Sequence, residues 1–178
     1  ENPQAGNVPE TSEWDEHVWT APVNAISIVK ALTSELCSVD PANATAYLAN
    51  SDAYVKQLEA LDQSFWSVVN AALRKTVVFA DRFPVRYFVE EYGLKYYAAF
   101  PGCSAETEPS AATIATLIDH VRSEQIPYVF YIEMSNQQMA DTVCEATVAQ
   151  KLLFHTCHNV TKTEFESGAT YLSLMQNN

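Results

Sequence analysis

The chain has 178 residues, 48% of them hydrophobic, enough to bury the core of one domain or slightly more. Its formal net charge of −12 sets it against nucleic acid and anionic membranes, which would repel it, and is compatible with attracting cations. No run of about 18 consecutive apolar residues exists, so nothing reads as a membrane-spanning helix.

The first stretch, Glu1 to Glu13, is polar and contains Pro and Asn, which reads as loop. No charged-then-apolar leader opens it, as expected if a signal has been removed or if the chain is a piece of a longer protein. Thr20 and Pro22 then mark a helix start, with the proline where its missing N–H costs little. Ile26, Val29, Leu32 and Leu36 recur at spacings of three and four, an amphipathic helix that Asp40 and Pro41 stop while capping the next. That next helix is long, from about Ala42 to Leu73. Its predicted apolar face is Tyr47, Tyr54, Leu58, Leu61, Phe65, Val68 and Ala72, widened by Trp66, Val69 and Leu73.

From Thr76 onward, short apolar runs alternate with helical patterns. TVVFA precedes a helix through Tyr87 and Tyr92, and LKYYAAF precedes one from Pro109 to Arg122. PYVFYIE precedes a helix from Asn136 to Thr147, and KLLFH precedes a last helix through Phe165 and Leu172. Ser135 with Gln138, and Thr161 with Glu164, are spaced as capping boxes. YVFYI is apolar on both faces, as a central strand of a covered parallel sheet should be. The fold class is therefore α/β: a parallel sheet of about four strands with flanking helices, plus the long helix. Ligands of such sheets bind beyond the carboxyl ends of the strands, where Asp81, Cys103 and His155 fall.

The segment LLFHTCHNV carries His155, Cys157 and His158, donors that suit zinc. Residues this close cannot all reach one ion without a tight loop, so two of the three is the ceiling. The other reading is a polar loop with one helix-capping residue. His17 lies among acids and tryptophans in EWDEHVW, Asp81 and Arg82 end the first strand, and His120 reads as surface. Glu106 and Glu108 precede a helix, the usual place for dipole and capping partners. Four cysteines allow three pairings; Cys144 reads as a buried free thiol, and a Cys103–Cys157 disulfide is open in an oxidising compartment. No GxSxG, GxGxxG, P-loop or HExxH pattern appears, and four glycines argue against a phosphate-cradling loop. Cys157 with an adjacent histidine is the only nucleophile–base pair, and chain neighbours rarely align for that chemistry.

DEHVWTAPVNA at 15–25, VDPANATAYLANSDAYVKQLEALD at 39–62, YFVEEYGL at 87–94, CSAETEPS at 103–110 and TYLSLM at 170–175 resemble, in this order, the metal-binding solute receptors of bacterial zinc and manganese ABC transporters. The resemblance implies two α/β lobes joined by one long rigid helix, with the metal in the cleft between them. Residues 1–40 would end the first lobe, 41–75 would hold the connecting helix, and 76–178 would form the second lobe. Most of the first lobe, and part of the closing helix, would then lie outside this chain.

Carried over by residue, His17 matches a first-lobe ligand, and His155 falls where the family has a carboxylate ligand. The remaining second-lobe ligand corresponds to Arg82, which cannot bind a cation; Asp81 or His158 would compensate. Glu106 matches an acid near the cleft. The implied function is a non-enzymatic, extracytoplasmic receptor that captures zinc, or alternatively manganese, and delivers it to an ABC permease. A lipid anchor on a missing N-terminal segment would hold it at the membrane. A zinc-dependent hydrolase using His155 and His158, and a relative that has lost metal binding, are the alternatives.

Overall fold

The computed structural model describes residues 15–100 and 110–178. A 3-10 turn, Val18–Thr20, leads into helix α1 (Pro22–Val39), with proline at the start as expected. A second 3-10 turn, Pro41–Asn43, opens the long helix α2 (Ala44–Ala71, 28 residues). Asp40 is not the backbone cap that its position predicts. Its Oδ2 accepts from the Asn43 side-chain amide at 2.8 Å and from the Tyr47 hydroxyl at 2.7 Å.

The buried face of α2 is Val55, Leu58, Leu61 and Val69, with Tyr54, Phe65 and Trp66 half-buried. Val68 and Ala72, expected on that face, are exposed. The apolar stripe drifts around a 3.6-residue helix, and past Phe65 its inward position passes to Val69.

After α2 come β1 (Thr76–Phe79), α3 (Arg86–Glu91), β2 (Lys95–Ala98), α4 (Ala111–Ser123), β3 (Tyr128–Ile132), α5 (Gln138–Ala146), β4 (Gln150–Phe154), α6 (Lys162–Glu166) and α7 (Tyr171–Gln176). The strands form one parallel sheet in the order β2-β1-β3-β4, as the alternating pattern predicts. β1 and β3 share only one registered pair, Phe79 with Phe130. The sense of the strand order changes between these two strands, the switch point beyond whose carboxyl ends such sheets generally take their ligands.

Period-two alternation sorts the strand residues onto two cores. Phe79, Ile132 and Phe154 pack with Leu61, Val69, Phe88, Tyr92 and Met175 on one face. Val78, Ala80 and Val129 pack with Leu117, Val121, Ala140 and Val143 on the other. Tyr92 also donates from its hydroxyl to Asp62 at 2.8 Å, which locks α3 to α2.

Two helix starts differ from expectation. The Thr161–Glu164 capping box forms, whereas the Ser135–Gln138 box does not. Ser135 Oγ instead accepts from the Gln137 amide and Asn136 Oδ1 from the Gln138 amide, with Gln137 left-handed at φ 60°. The single helix predicted through Phe165 and Leu172 is two. Gly168, at φ 76°, ends α6, and Thr170 with Ser173 caps α7.

Candidate metal centre

His17 immediately precedes the Val18–Thr20 turn and is almost fully buried. Asp15 Oδ1 accepts both the His17 backbone N–H at 2.9 Å and ring Nδ1 at 2.8 Å. A carboxylate only accepts, so Nδ1 carries the ring proton and Nε2 keeps its lone pair. This is how metal-binding histidines are commonly held, with one nitrogen fixed by an acid and the other offered. The Tyr87 hydroxyl of α3 donates to the Asp15 carbonyl at 3.0 Å, and Thr20 Oγ1 donates to the His17 carbonyl at 2.8 Å.

The loop after β4 supplies a second imidazole. His158 is exposed, and its ring lies edge-on to His17 with centroids 5.3 Å apart. Trp19 stacks on His158 at 6.1 Å and tilts against His17 at 5.4 Å. The Trp19 indole N–H donates to the Thr156 carbonyl at 3.0 Å, and Tyr171 of α7 donates to the Trp19 carbonyl at 2.7 Å. The segment before α1 is thus fastened to both the β4–α6 loop and α7.

His155, the first expectation for this loop, is held differently. Its Nδ1 accepts the Cys157 amide at 3.0 Å, so the neutral ring carries its proton on Nε2. Nε2 is buried without a hydrogen-bond partner; Glu164 Oε1, at 3.6 Å, is close enough for attraction and too far for a bond. Asn178 clamps the His155 backbone, accepting its N–H at 2.8 Å and donating to its carbonyl at 2.9 Å. Among the described residues, no ring contact joins His155 to His17, Trp19 or His158.

Asp81 is likewise committed elsewhere. Oδ1 accepts the Arg82 amide at 2.8 Å and Oδ2 the Ile132 amide at 3.3 Å, so the carboxylate replaces ladder pairing where β1 and β3 part. Arg82 is exposed. Glu106, Glu108 and Cys103 lie outside the described residues. Cys157 has a free thiol that burial, then Glu133 and Glu164, push up to about 12, and its side chain packs on the first core. Cys144 is half-buried and free, and burial, then Asp141, raise its thiol. His120 is half-exposed, stacked on Tyr97 at 3.7 Å.

The structure therefore brings together His17 and His158, and not His155 or Asp81. Two imidazoles at this separation are a donor set that zinc accepts readily, with further positions left for other ligands. Asp15, Glu16 and His17 are the one group of three donors within 4.8 Å of one another among the described residues. Asp15's orienting contact went unread in the sequence, although a carboxylate two positions before the histidine is its signal. Glu133, which binds the His158 loop, gave no signal beyond its place at a strand end.

A family model described as zinc-uptake complex component A, periplasmic, matches residues 2–178. The zinc-binding lipoprotein AdcA of Streptococcus pneumoniae is 30% identical over 166 residues, covering 93% of this chain and 33% of its own length. The high-affinity zinc uptake system protein ZnuA of Bacillus subtilis is 30% identical over 164 residues, 92% of this chain and 51% of its own. The chain thus spans about a third to a half of these relatives.

The crystal structure of the Zn(II)-bound ZnuA-like domain of S. pneumoniae AdcA superposes with a TM-score of 0.78 at 28% identity, covering 97% of this chain and 64% of that one. That of the metal-dependent lipoprotein YcdH from B. subtilis gives 0.81 at 28% identity, covering 98% and 65%. Matched from its second residue to its last, the chain belongs to the family of the periplasmic component A of zinc-uptake complexes.

Proposed function

We propose that this chain forms part of an extracytoplasmic receptor that captures zinc at His17 and His158 and delivers it to an ABC permease. The observation that carries the reading is the 5.3 Å approach of the two rings, with Asp15 on His17 Nδ1 leaving Nε2 to bind. The relatives named as zinc-binding lipoprotein and zinc uptake protein support zinc as cargo and a lipid anchor as the means of retention. Nitrogen donors favour zinc over manganese, which prefers oxygen. Residues 1–40 act as the end of a first lobe, 41–75 as the connecting element and 76–178 as the second lobe, in keeping with the 28-residue α2 between α1 and the sheet.

The protein acts by binding alone. Glu133, the acid seated against the His158 loop, accepts four hydrogen bonds from that loop and is held there as a structural acceptor, not as a general base for hydrolysis.

A calorimetric titration of the intact protein tests this. His17→Ala and His158→Ala should each weaken zinc binding by more than the roughly 10–100-fold that follows loss of an outer hydrogen bond to a ligand. His155→Ala should do less than either. Binding unaffected by both of the first two substitutions, or zinc-dependent turnover of a model ester or peptide, would overturn the reading.

A further inference from the structure

The turn after β3 and the loop after β4 meet through one side chain. Glu133 accepts four hydrogen bonds from that loop. Its Oε2 takes the Thr156 amide at 2.8 Å, and its Oε1 takes the Thr156 hydroxyl at 2.6 Å, the His158 amide at 3.1 Å and the Asn159 amide at 3.3 Å. The amides converge because Cys157 is left-handed, at φ 60°, between Thr156 and His158. A left-handed residue within such a bend turns successive N–H groups to one side and makes an anion-binding concavity. Here the anion is a carboxylate delivered from the neighbouring strand.

The exchange is nearly closed on both sides. Burial pushes the Glu133 carboxyl up, but the Thr156 hydroxyl and amide bonds outweigh it and hold the group below its usual range. The loop, for its part, satisfies Thr156, His158 and Asn159 N–H at this one acceptor group. His155, on the other side of Thr156, is pinned to Asn178. The His158 ring is exposed, yet the backbone beneath it is fixed from β3.

We propose that Glu133 is a positioning residue for metal capture: seated in the amide nest of the 156–159 loop, it sets the His158 backbone so that the imidazole already faces His17 before metal arrives. This rests on the reading of His17 and His158 as ligands. Pre-set geometry spares the metal the cost of ordering the loop, so Glu133 acts on affinity without touching the ion. Glutamine is the informative replacement. It is the same size, but one oxygen becomes an N–H₂ group that must face amide or hydroxyl protons in the nest.

The test compares zinc titrations of the intact wild-type protein, Glu133→Gln, His158→Ala and the double variant, with amide hydrogen exchange on the metal-free forms. Glu133→Gln should weaken zinc about 10–100-fold when His158 is present, and no more than about twofold in the His158→Ala background. In the metal-free protein it should speed exchange at 156–159 and leave β1 and β3 unchanged. Unchanged affinity, equal losses in both backgrounds, or faster exchange throughout the sheet would each overturn the proposal. A wild-type protein that binds no zinc would fail earlier, before any substitution. That result would overturn the reading of the site and the proposal with it, even with the exchange difference intact.

Discussion

At Asp15, one oxygen holds the His17 amide and ring together, so backbone and imidazole are oriented by a single contact. Asp15→Asn keeps the size but can present an N–H₂ where an acceptor is needed, freeing the ring to rotate or to change tautomer. Zinc affinity should fall about 10–100-fold while the melting temperature hardly moves, read by calorimetry and thermal unfolding on the same samples. The same scale explains why the sequence pointed to His155 where the structure sets His158 beside His17. His155 and His158 share one loop and one chemistry, and composition cannot separate them. What separates them is the backbone of Cys157, whose left-handed φ of 60° costs roughly 1–2 kcal/mol for a residue with a Cβ. That turn spends His155 on the Cys157 amide and sends His158 outward. No glycine or asparagine marks the position, so nothing in the letters announces it.

Elements were far more legible than their ends. The alternation of apolar runs with helical periods is a strong signal, because the central strands β1 and β3 bury residues on both faces, and it returned the four-stranded parallel sheet. The junctions depend instead on single side-chain bonds that several residues can make. Ser135 has the spacing of a capping box and forms a shorter turn; Asp40 has the position of a cap and binds two side chains. The Asp40 contacts predict a pH dependence. Asn43, then Tyr47, hold its carboxyl below the usual value, so the α1–α2 junction is favoured by an ionised Asp40. That contribution is complete above the ordinary carboxylate range near pH 4 and lost as pH falls through the lowered value. Asp40→Asn should flatten the acid limb of melting temperature against pH, between about pH 2 and 5, relative to wild type. Parallel curves would show that the pair stabilises nothing.

Across the whole molecule, burial is uneven. The two cores lie on either side of the sheet, whereas α1 leaves Leu32, Leu36 and Val39 at 59%, 45% and 76% exposure. Leu32 and Leu36 were expected on a buried face; in this chain, Ala25 and Thr33 are the deeper α1 positions. A Leu32→Lys, Leu36→Lys double variant should therefore keep its unfolding free energy within about 1 kcal/mol of wild type, measured in urea, since exposed positions away from caps and cores change little. A loss of several kcal/mol would mean that α1 is packed more deeply than the structure has it. The bonds from Trp19 to Thr156 and from Tyr171 to Trp19 span 137 and 152 residues of sequence. The two histidines therefore meet only by closing a loop of most of the chain, which carries an entropic cost. An ion bound there would then behave as a removable cross-link between distant parts of the chain. At a free concentration a hundred times its dissociation constant it would add about 2.7 kcal/mol to the closed form. Without that ion, the hydrogen bonds of Trp19 and Tyr171 remain the ties that hold the segment before α1 against the far end of the chain.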